Sequence, residues 1–541
     1  MSGIKGISKM VVIYILLVVI VAQGAGIAYL WMGMQGEAPS PSETTLVVGI
    51  VGGIGRVLHP QHTFAADDPI TNQIFEGLFA YDGVTQELVP HLASDFPTIS
   101  ADGFTYTIPL RQGIEFHDGT PFNATAVKAH FDLLDEIRLG STRIVYDIVS
   151  STAIVDDYTI QITLKRADSA FTAILAHFSA YIESPSAVAK YGKDTLNEHP
   201  IGTGPFEFVS KITDSEVVLD ANQKWWKLES GESIEIDTIV FKNLADRIIG
   251  KLALESGELD AVIFGSISYA DYPALLANTD LKSYDRTAVS PNRWLAFNLD
   301  NNTWQYFPNK KLRQAFAYAI DYDNMINLAL GGQAERLYSC IPPEYEGYEA
   351  VYEYDYDPAK SLELISEAGF EPPLTINAWI SDRYDVDVNV MSTIKDSALA
   401  AGFDLNIQQE EHSAYRQHFY YTSQLETAMW SWQADYADVG NWLQNFMGTN
   451  GFSLRYSSWN YSDIESLYPE VDDLITEAAA TTSNTRKLEI TSQVQNLWAE
   501  WLPNIHLFRL RTYEFTHKSV EGVLFGAMNW DIKFYAATKA S

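Results

Sequence analysis

Two carboxylates stand among three aromatic rings in the stretch Trp430-Ser-Trp-Gln-Ala-Asp-Tyr-Ala-Asp438. Acids this close together can work as a catalytic pair, or one of them can hold a cation against apolar surface, where a desolvated carboxylate bonds an ammonium strongly. His117 beside Asp118 has the composition of a metal or acid–base pair, but the Asp-Gly-Thr-Pro setting makes Asp118 a turn-stabilising residue. Gly52-Gly-Ile-Gly55 after an apolar run invites a dinucleotide site. That site fails because Leu58 takes the third glycine position and Pro60 interrupts the helix that should receive the pyrophosphate. His-Glu-x-x-His, Gly-x-Ser-x-Gly and Gly-x4-Gly-Lys-Ser/Thr are all absent, so the usual signatures of metalloprotease, hydrolase and nucleotide hydrolysis are missing and the chain reads as no enzyme. His59, His62, His412 and His418 are scattered and read as surface or structural residues rather than metal ligands. Cys340 is the single cysteine, which excludes an internal disulfide and a Cys-rich metal site; no cofactor is expected.

The elements that must position such residues come from a long, acidic, globular chain. Its 541 residues exceed one compact core and call for two or three domains. Hydrophobic residues make up 47% and charged ones 20%, the balance of a folded protein. Thirty-six basic against 70 acidic residues leave a net charge of -34, which repels a polyanion, so nucleic acid is not an expected partner. Lys5 and Lys9 precede an uncharged, mostly apolar run over 10–34, long enough at ~1.5 Å per residue to cross ~30 Å of hydrocarbon. The reading is a cytoplasmic 1–9, a transmembrane anchor over 10–34, a Pro/Ser linker over 35–44, and the bulk of the chain outside the cell. Cleavage inside Ala22-Gln-Gly-Ala25 is the alternative to a retained anchor. Sequons at Asn123, Asn301 and Asn460 permit glycosylation.

Apolar alternation and capping signals predict strands over 45–51, 104–108, 114–116 and 217–219. They predict helices opening at Asn123 and running over 246–256, 310–329 and 359–368. Strands and helices mix without a repeat, so the class is mixed α/β with several lobes.

Seven ordered motifs carry a resemblance. They are Gln73-Ile-Phe-Glu-Gly-Leu-Phe-Ala-Tyr-Asp82; Leu88-Val-Pro-His-Leu-Ala-Ser94; Asp102-Gly-Phe-Thr-Tyr-Thr-Ile-Pro-Leu-Arg-Gln-Gly113 with Phe116-His-Asp-Gly-Thr-Pro-Phe122; His199-Pro-Ile-Gly-Thr-Gly-Pro-Phe206; Leu254-Glu-Ser-Gly-Glu-Leu-Asp260; Leu312-Arg-Gln-Ala-Phe-Ala-Tyr-Ala-Ile-Asp321; and Leu502-Pro-Asn-Ile505. From about Thr45 to its end the chain resembles solute-binding protein family 5, the oligopeptide, dipeptide and nickel binding proteins of ATP-driven (ABC) importers.

The resemblance implies a three-lobed, periplasmic-binding-protein-like α/β fold (type II, cluster C) with a hinge-closing cleft. Lobe I would use 45–84, 200–292 and 505–541, an inserted lobe II 85–199, and lobe III 293–504. It also implies an extended ligand, a peptide foremost, that adds to the protein like a strand, its α-ammonium held by Asp435. The backbone of Ser431 and Gln433 would bind it, Trp430, Trp432 and Tyr436 would line side-chain pockets or serve as core, and the loop around Ala65 would face them. Implied partners are permease subunits with ATPases, the membrane through the N-terminal helix, and no second copy, the protein working as a monomer. Departures stand at Ser431 for the family's Gly, at Asp438-Val439 for Asp-Pro, and at Leu58-His59-Pro60 for Leu-Asp-Pro. Arg383 stands near the place of a dipeptide binder's carboxylate-gripping arginine without matching its pattern. Longer peptides, sugars, nickel, or a surface sensor on the same fold therefore stay open.

Overall fold

Burial on both faces explains the unbroken apolar run TLVVGIV: it forms the strand Thr45–Val51, inside a sheet where neighbours cover it from each side. This computed structural model describes residues 44–60, 66–138, 143–300, 303–419, 424–449 and 468–540. The folded unit is Leu46–Ser541; of the other unit, Met1–Thr45, only Thr44 and Thr45 are described. The expected membrane span over 10–34 thus lies outside the described residues, among which no helix is long and apolar enough to cross a membrane.

Among the described residues the chain is mixed α/β around three larger sheets. A seven-stranded sheet runs in the order Leu281–Asp285, Tyr513–His517, Ala261–Val262, Thr45–Val51, Thr238–Leu244, Glu216–Ala221, Phe206–Ile212. A six-stranded sheet runs Ala334–Arg336, Asn504–Leu510, Asn292–Phe297, Thr427–Trp432, Leu374–Ser381, Phe403–Glu410. A four-stranded sheet is built from Thr98–Ile99, Thr105–Pro109, Thr159–Leu164 and Val149–Asp156. Asn504–Leu510 pairs with Asn292–Phe297, so the chain passes between the two large sheets at 511–512 and not at 505. The other passage is 286–291, and the two are tied together: the Arg286 N–H donates to the Thr512 carbonyl at 2.7 Å and the Thr512 hydroxyl lies 3.1 Å from that of Ser290.

Local signals act where they were read. Asn123 accepts from the Ala126 N–H and starts Ala124–Ile137, and Asp246 accepts from the Ile249 N–H and starts Arg247–Glu255. Two expectations change. Residues 114–116 form no strand, only an isolated bridge between Glu115 and Pro121. The helix expected over 310–329 is Lys310–Tyr318, followed by a break, Tyr322–Asn324, and a π-helical turn Met325–Ala329. Asp321 causes the restart, since its carboxylate accepts from the Asn324 N–H at 3.0 Å and caps a new helix.

The ordered motifs meet around Glu76. Its buried carboxylate accepts from His91, Thr203, Trp225 and Trp226 at 2.8–3.0 Å. Burial alone would raise this acid, but the donors outweigh it and hold it at about 2. Gly202 and Gly204 flank Thr203 because a Cβ at either would collide with the carbonyl oxygens of Ile74 or Gln73.

Candidate functional site

The strand Thr427–Trp432 is half-paired. On one side it is bonded antiparallel along its whole length, from Phe297↔Thr427 to Asn292↔Trp432. On the other, among the described residues, it runs parallel to Leu374–Ser381 only through Ala378↔Thr427 and Trp379↔Ala428. The separation beyond that point has a physical cause. Tyr415, wholly buried on the short helix His412–Gln417, sends its hydroxyl between the two strands, donating to the Met429 carbonyl at 2.5 Å and lying 3.5 Å from that of Trp379. Residues two apart direct their backbone groups to the same side of a strand. With Met429 facing this edge, Ser431 faces it too, and so does Gln433 as the chain leaves the strand.

A cavity of about 340 Å³ opens on this edge. Trp430, Ser431, Trp432, Gln433 and Asp435 form one side, and Arg293, Ser381, Tyr384, His412 and Arg416 contribute to the rest. Asp435 is half-buried and faces the cavity, with protein atoms packed around it. Its own N–H donates to the Asn441 side-chain oxygen at 2.9 Å. No cation among the described residues pairs with its carboxylate. Burial, only partly offset by the Asn441 side chain, therefore raises it to about 6. A carboxylate in that setting is stabilised by any cation that enters the cavity.

The other expected residues divide. Trp430 packs as core, stacked on Phe419 at 4.7 Å and on Tyr415 at 5.3 Å, and is 9% exposed. Trp432 meets Trp442 and Phe446 edge-on, so both indoles pack against protein while also lining the cavity. The Gln433 side-chain oxygen accepts from Asn529 at 2.9 Å. Tyr436 lines a different cavity of about 70 Å³, with Asp168 and Asp438. Ala65 lies outside the described residues. The second acid of the opening stretch, Asp438, accepts from the Gly440 N–H as cap of Val439–Met447 and pairs with Lys487 at 2.7 Å. The two acids thus have separate tasks and form no catalytic pair.

The other chemistry-bearing residues are spent locally. Asp118 accepts from the Thr120 N–H and hydroxyl and from the Ser184 hydroxyl; burial would raise it, but these bonds hold it below its ordinary value. The backbone N–H groups of Gly55, Arg56 and Val57, where a phosphate would sit in a dinucleotide site, instead donate to the Asp67 carboxylate at 2.6–3.1 Å. His412 binds Ser381 at 2.9 Å and is kept neutral by burial and by Arg383 and Arg416, whereas His418 pairs with Glu410 at 2.9 Å. Among the described residues no three His, Cys, Asp or Glu converge on a point; His62 lies outside them. Reading the sequence passed over Arg293, Tyr384 and Tyr415. Arg293 had one local signal, a lone charge in a strand otherwise buried throughout.

The family model "Bacterial extracellular solute-binding proteins, family 5 Middle" matches residues 87–453. Over 481 residues the chain is 28% identical to "Glutathione-binding protein GsiB" of Pectobacterium atrosepticum, covering 87% of this chain and 90% of that protein. Two similar solved structures are a dipeptide binding protein from Pseudoalteromonas in complex with Met-Leu and NikA from Brucella suis in complex with Fe(III)-EDTA. The first has a TM-score of 0.76 and is 24% identical, over 92% of this chain and all of that one. The second has a TM-score of 0.79 and is 20% identical, over 91% of this chain and all of that one. Such binders catalyse no reaction and work outside the cytoplasm. With the match spanning most of the folded unit, the chain belongs to the bacterial extracellular solute-binding proteins of family 5.

Proposed function

We propose that the cavity beside Thr427–Trp432 captures a short peptide and that the protein delivers it to the permease of an ABC importer. The carrying observation is Asp435: a carboxylate raised by desolvation, with no cation paired to it among the described residues, facing a cavity next to a strand edge that is likewise unpaired among them. A peptide supplies both missing parts. Its α-ammonium is the cation, and its backbone bonds the edge of Ser431 and Gln433, giving affinity that does not depend on side chains. Arg416 lines the cavity elsewhere, and Arg383 lies against His412 on its wall, giving the site a basic side for the C-terminal carboxylate. The relatives named for glutathione and the similar protein bound to Met-Leu support a ligand of this size. In the same reading the two large sheets belong to lobes that close about the tied segments 286–291 and 511–512, while residues 10–34 hold the protein to the membrane.

A thermal-shift comparison of the full chain with tri-alanine and N-acetyl-tri-alanine tests the reading. Ligand at 100 times its dissociation constant stabilises by about 2.7 kcal/mol. A shift with tri-alanine alone that Asp435→Ala abolishes is expected. Equal shifts with both peptides would remove the ammonium role from Asp435, and shifts only with sugars or Ni²⁺ would remove the peptide assignment.

A further inference from the structure

Arg293 lines the cavity, and among the described residues most of its hydrogen-bonding capacity is unused. It lies near the start of Asn292–Phe297, directly across from Ser431, and is 7% exposed. Its guanidinium packs over the Tyr384 ring at 4.3 Å and touches the Asp387 carboxylate only through Nη1, at 3.3 and 3.4 Å. A well-made arginine–carboxylate bond is about 2.7–2.9 Å and frequently bidentate. Nε and Nη2 have no protein acceptor among the described residues. Asp387 is 1% exposed, and its Oδ1 has no well-formed hydrogen bond.

A buried charge costs several kcal/mol unless it is well paired and hydrogen-bonded. Here the pairing is loose, and Arg293 lines a cavity that holds a ligand-sized volume. The chain carries -34 overall, so an acidic ligand gains nothing from the long-range field. Recognition of an anion must come from a specific contact inside the site. An arginine in van der Waals contact with a ring, with two donors directed for a planar anion, is that contact.

We propose that Arg293 is an anion anchor, making the cleft favour peptides that carry an acidic group on one of their first two residues. The proposal rests on the peptide reading above. An ammonium at Asp435 fixes the N-terminus, and each extended residue advances about 3.4 Å along the edge. Ser431 stands four residues from Asp435 and both line the same cavity, so the position across from Ser431 belongs to the N-terminal part of such a peptide. Asp387 shares the guanidinium when no ligand is present, and the incoming carboxylate takes the free Nε–Nη2 edge.

Isothermal titration of the full chain with Glu-Ala-Ala against Gln-Ala-Ala, and Ala-Glu-Ala against Ala-Gln-Ala, tests this with isosteric pairs. The acidic member of at least one pair is expected to bind about tenfold tighter, with Arg293→Met reducing that ratio to within twofold. Asp387→Asn, which frees the guanidinium, is expected to increase the ratio and keeps the test alive if Arg293→Met does not fold. Ratios near one in the native chain, a ratio that survives Arg293→Met, or a fall in Asp387→Asn would each overturn the anchor while leaving peptide binding standing. No binding by any of the four peptides overturns both readings.

Discussion

The Tyr415 hydroxyl donates to the Met429 carbonyl at 2.5 Å, in the place where the neighbouring strand Leu374–Ser381 would otherwise continue its pairing. Because this hydroxyl lies between the two strands, the edge at Ser431 that the proposed peptide would bond depends on it. Tyr415→Phe leaves a buried carbonyl unsatisfied, which costs about 1–3 kcal/mol. Urea denaturation should show that loss, and tri-alanine affinity should fall with it. Unchanged affinity despite the stability loss would mean the edge stays open without the wedge.

How far this was legible follows the range of each interaction. Strand Thr45–Val51 and the helices capped by Asn123 and Asp246 were readable because the signals lie within a few residues of the elements they start. The break after Tyr318 was not, since apolar spacing continues through Asp321 and only the carboxylate's bond to the Asn324 N–H reveals the new cap. Asp435 was nameable from the Trp-x-x-Asp pattern, yet its separation from Asp438 needed Asn441 and Lys487 in place. The contacts of Arg293 and Tyr415 were invisible for a simpler reason. Asp387 is 94 residues from Arg293, and the 14 residues between Tyr415 and Met429 are bridged by a buried hydroxyl that no periodicity encodes.

Peptide binding should weaken in acid through Asp435. Only the ionised carboxylate holds an ammonium, and burial places its ionisation at about 6 in the empty cavity. From pH 7.5 to 6 tri-alanine affinity changes little; below 6 it falls toward tenfold per pH unit, one proton being displaced per ligand. Asp387 is also raised to about 6 by burial, so the comparison needs a control. In Asp435→Asn, titration calorimetry should find weak binding without this acid slope. An unchanged slope in that variant would assign the pH effect to Asp387 instead.

The same carboxylate costs stability when the site is empty. Asp435 titrates near about 6 in the folded chain and near about 3.9 when unfolded. Between those values the folded state binds the extra proton, so stability falls as pH rises through the window and stays lowered above it. Asp435→Asn removes the penalty. Its Tm should exceed the native value at pH 7.5 and match it near pH 4, while ligand capture is lost, a trade of stability for function. A variant less stable than the native chain at pH 7.5 would show that the carboxylate has a structural partner.

In the proposed hinge-closing reading, closure over the site has its own bonds, separate from those to the ligand. The Ala437 N–H, in the same turn as Asp435, donates to the Tyr81 hydroxyl at 3.0 Å, and Asn529 donates to Gln433 at 2.9 Å. Tyr81 and Asn529 come from opposite ends of the folded chain, and neither is in the six-stranded sheet that carries Thr427–Trp432. In that reading both bonds join the two lobes when the cleft is closed. A buried hydrogen bond is worth about 0.5–1.5 kcal/mol net, so Tyr81→Phe should speed ligand release by roughly 2- to 12-fold. Association should be nearly unaffected, because encounter precedes closure and affinity differences within one interface reside mostly in dissociation. Stopped-flow release of a fluorescent tripeptide measures this directly. Tyr81→Phe with Asn529→Ala should exceed either single change, whereas a slower association rate with unchanged release would place these residues on the entry path and not on the closure.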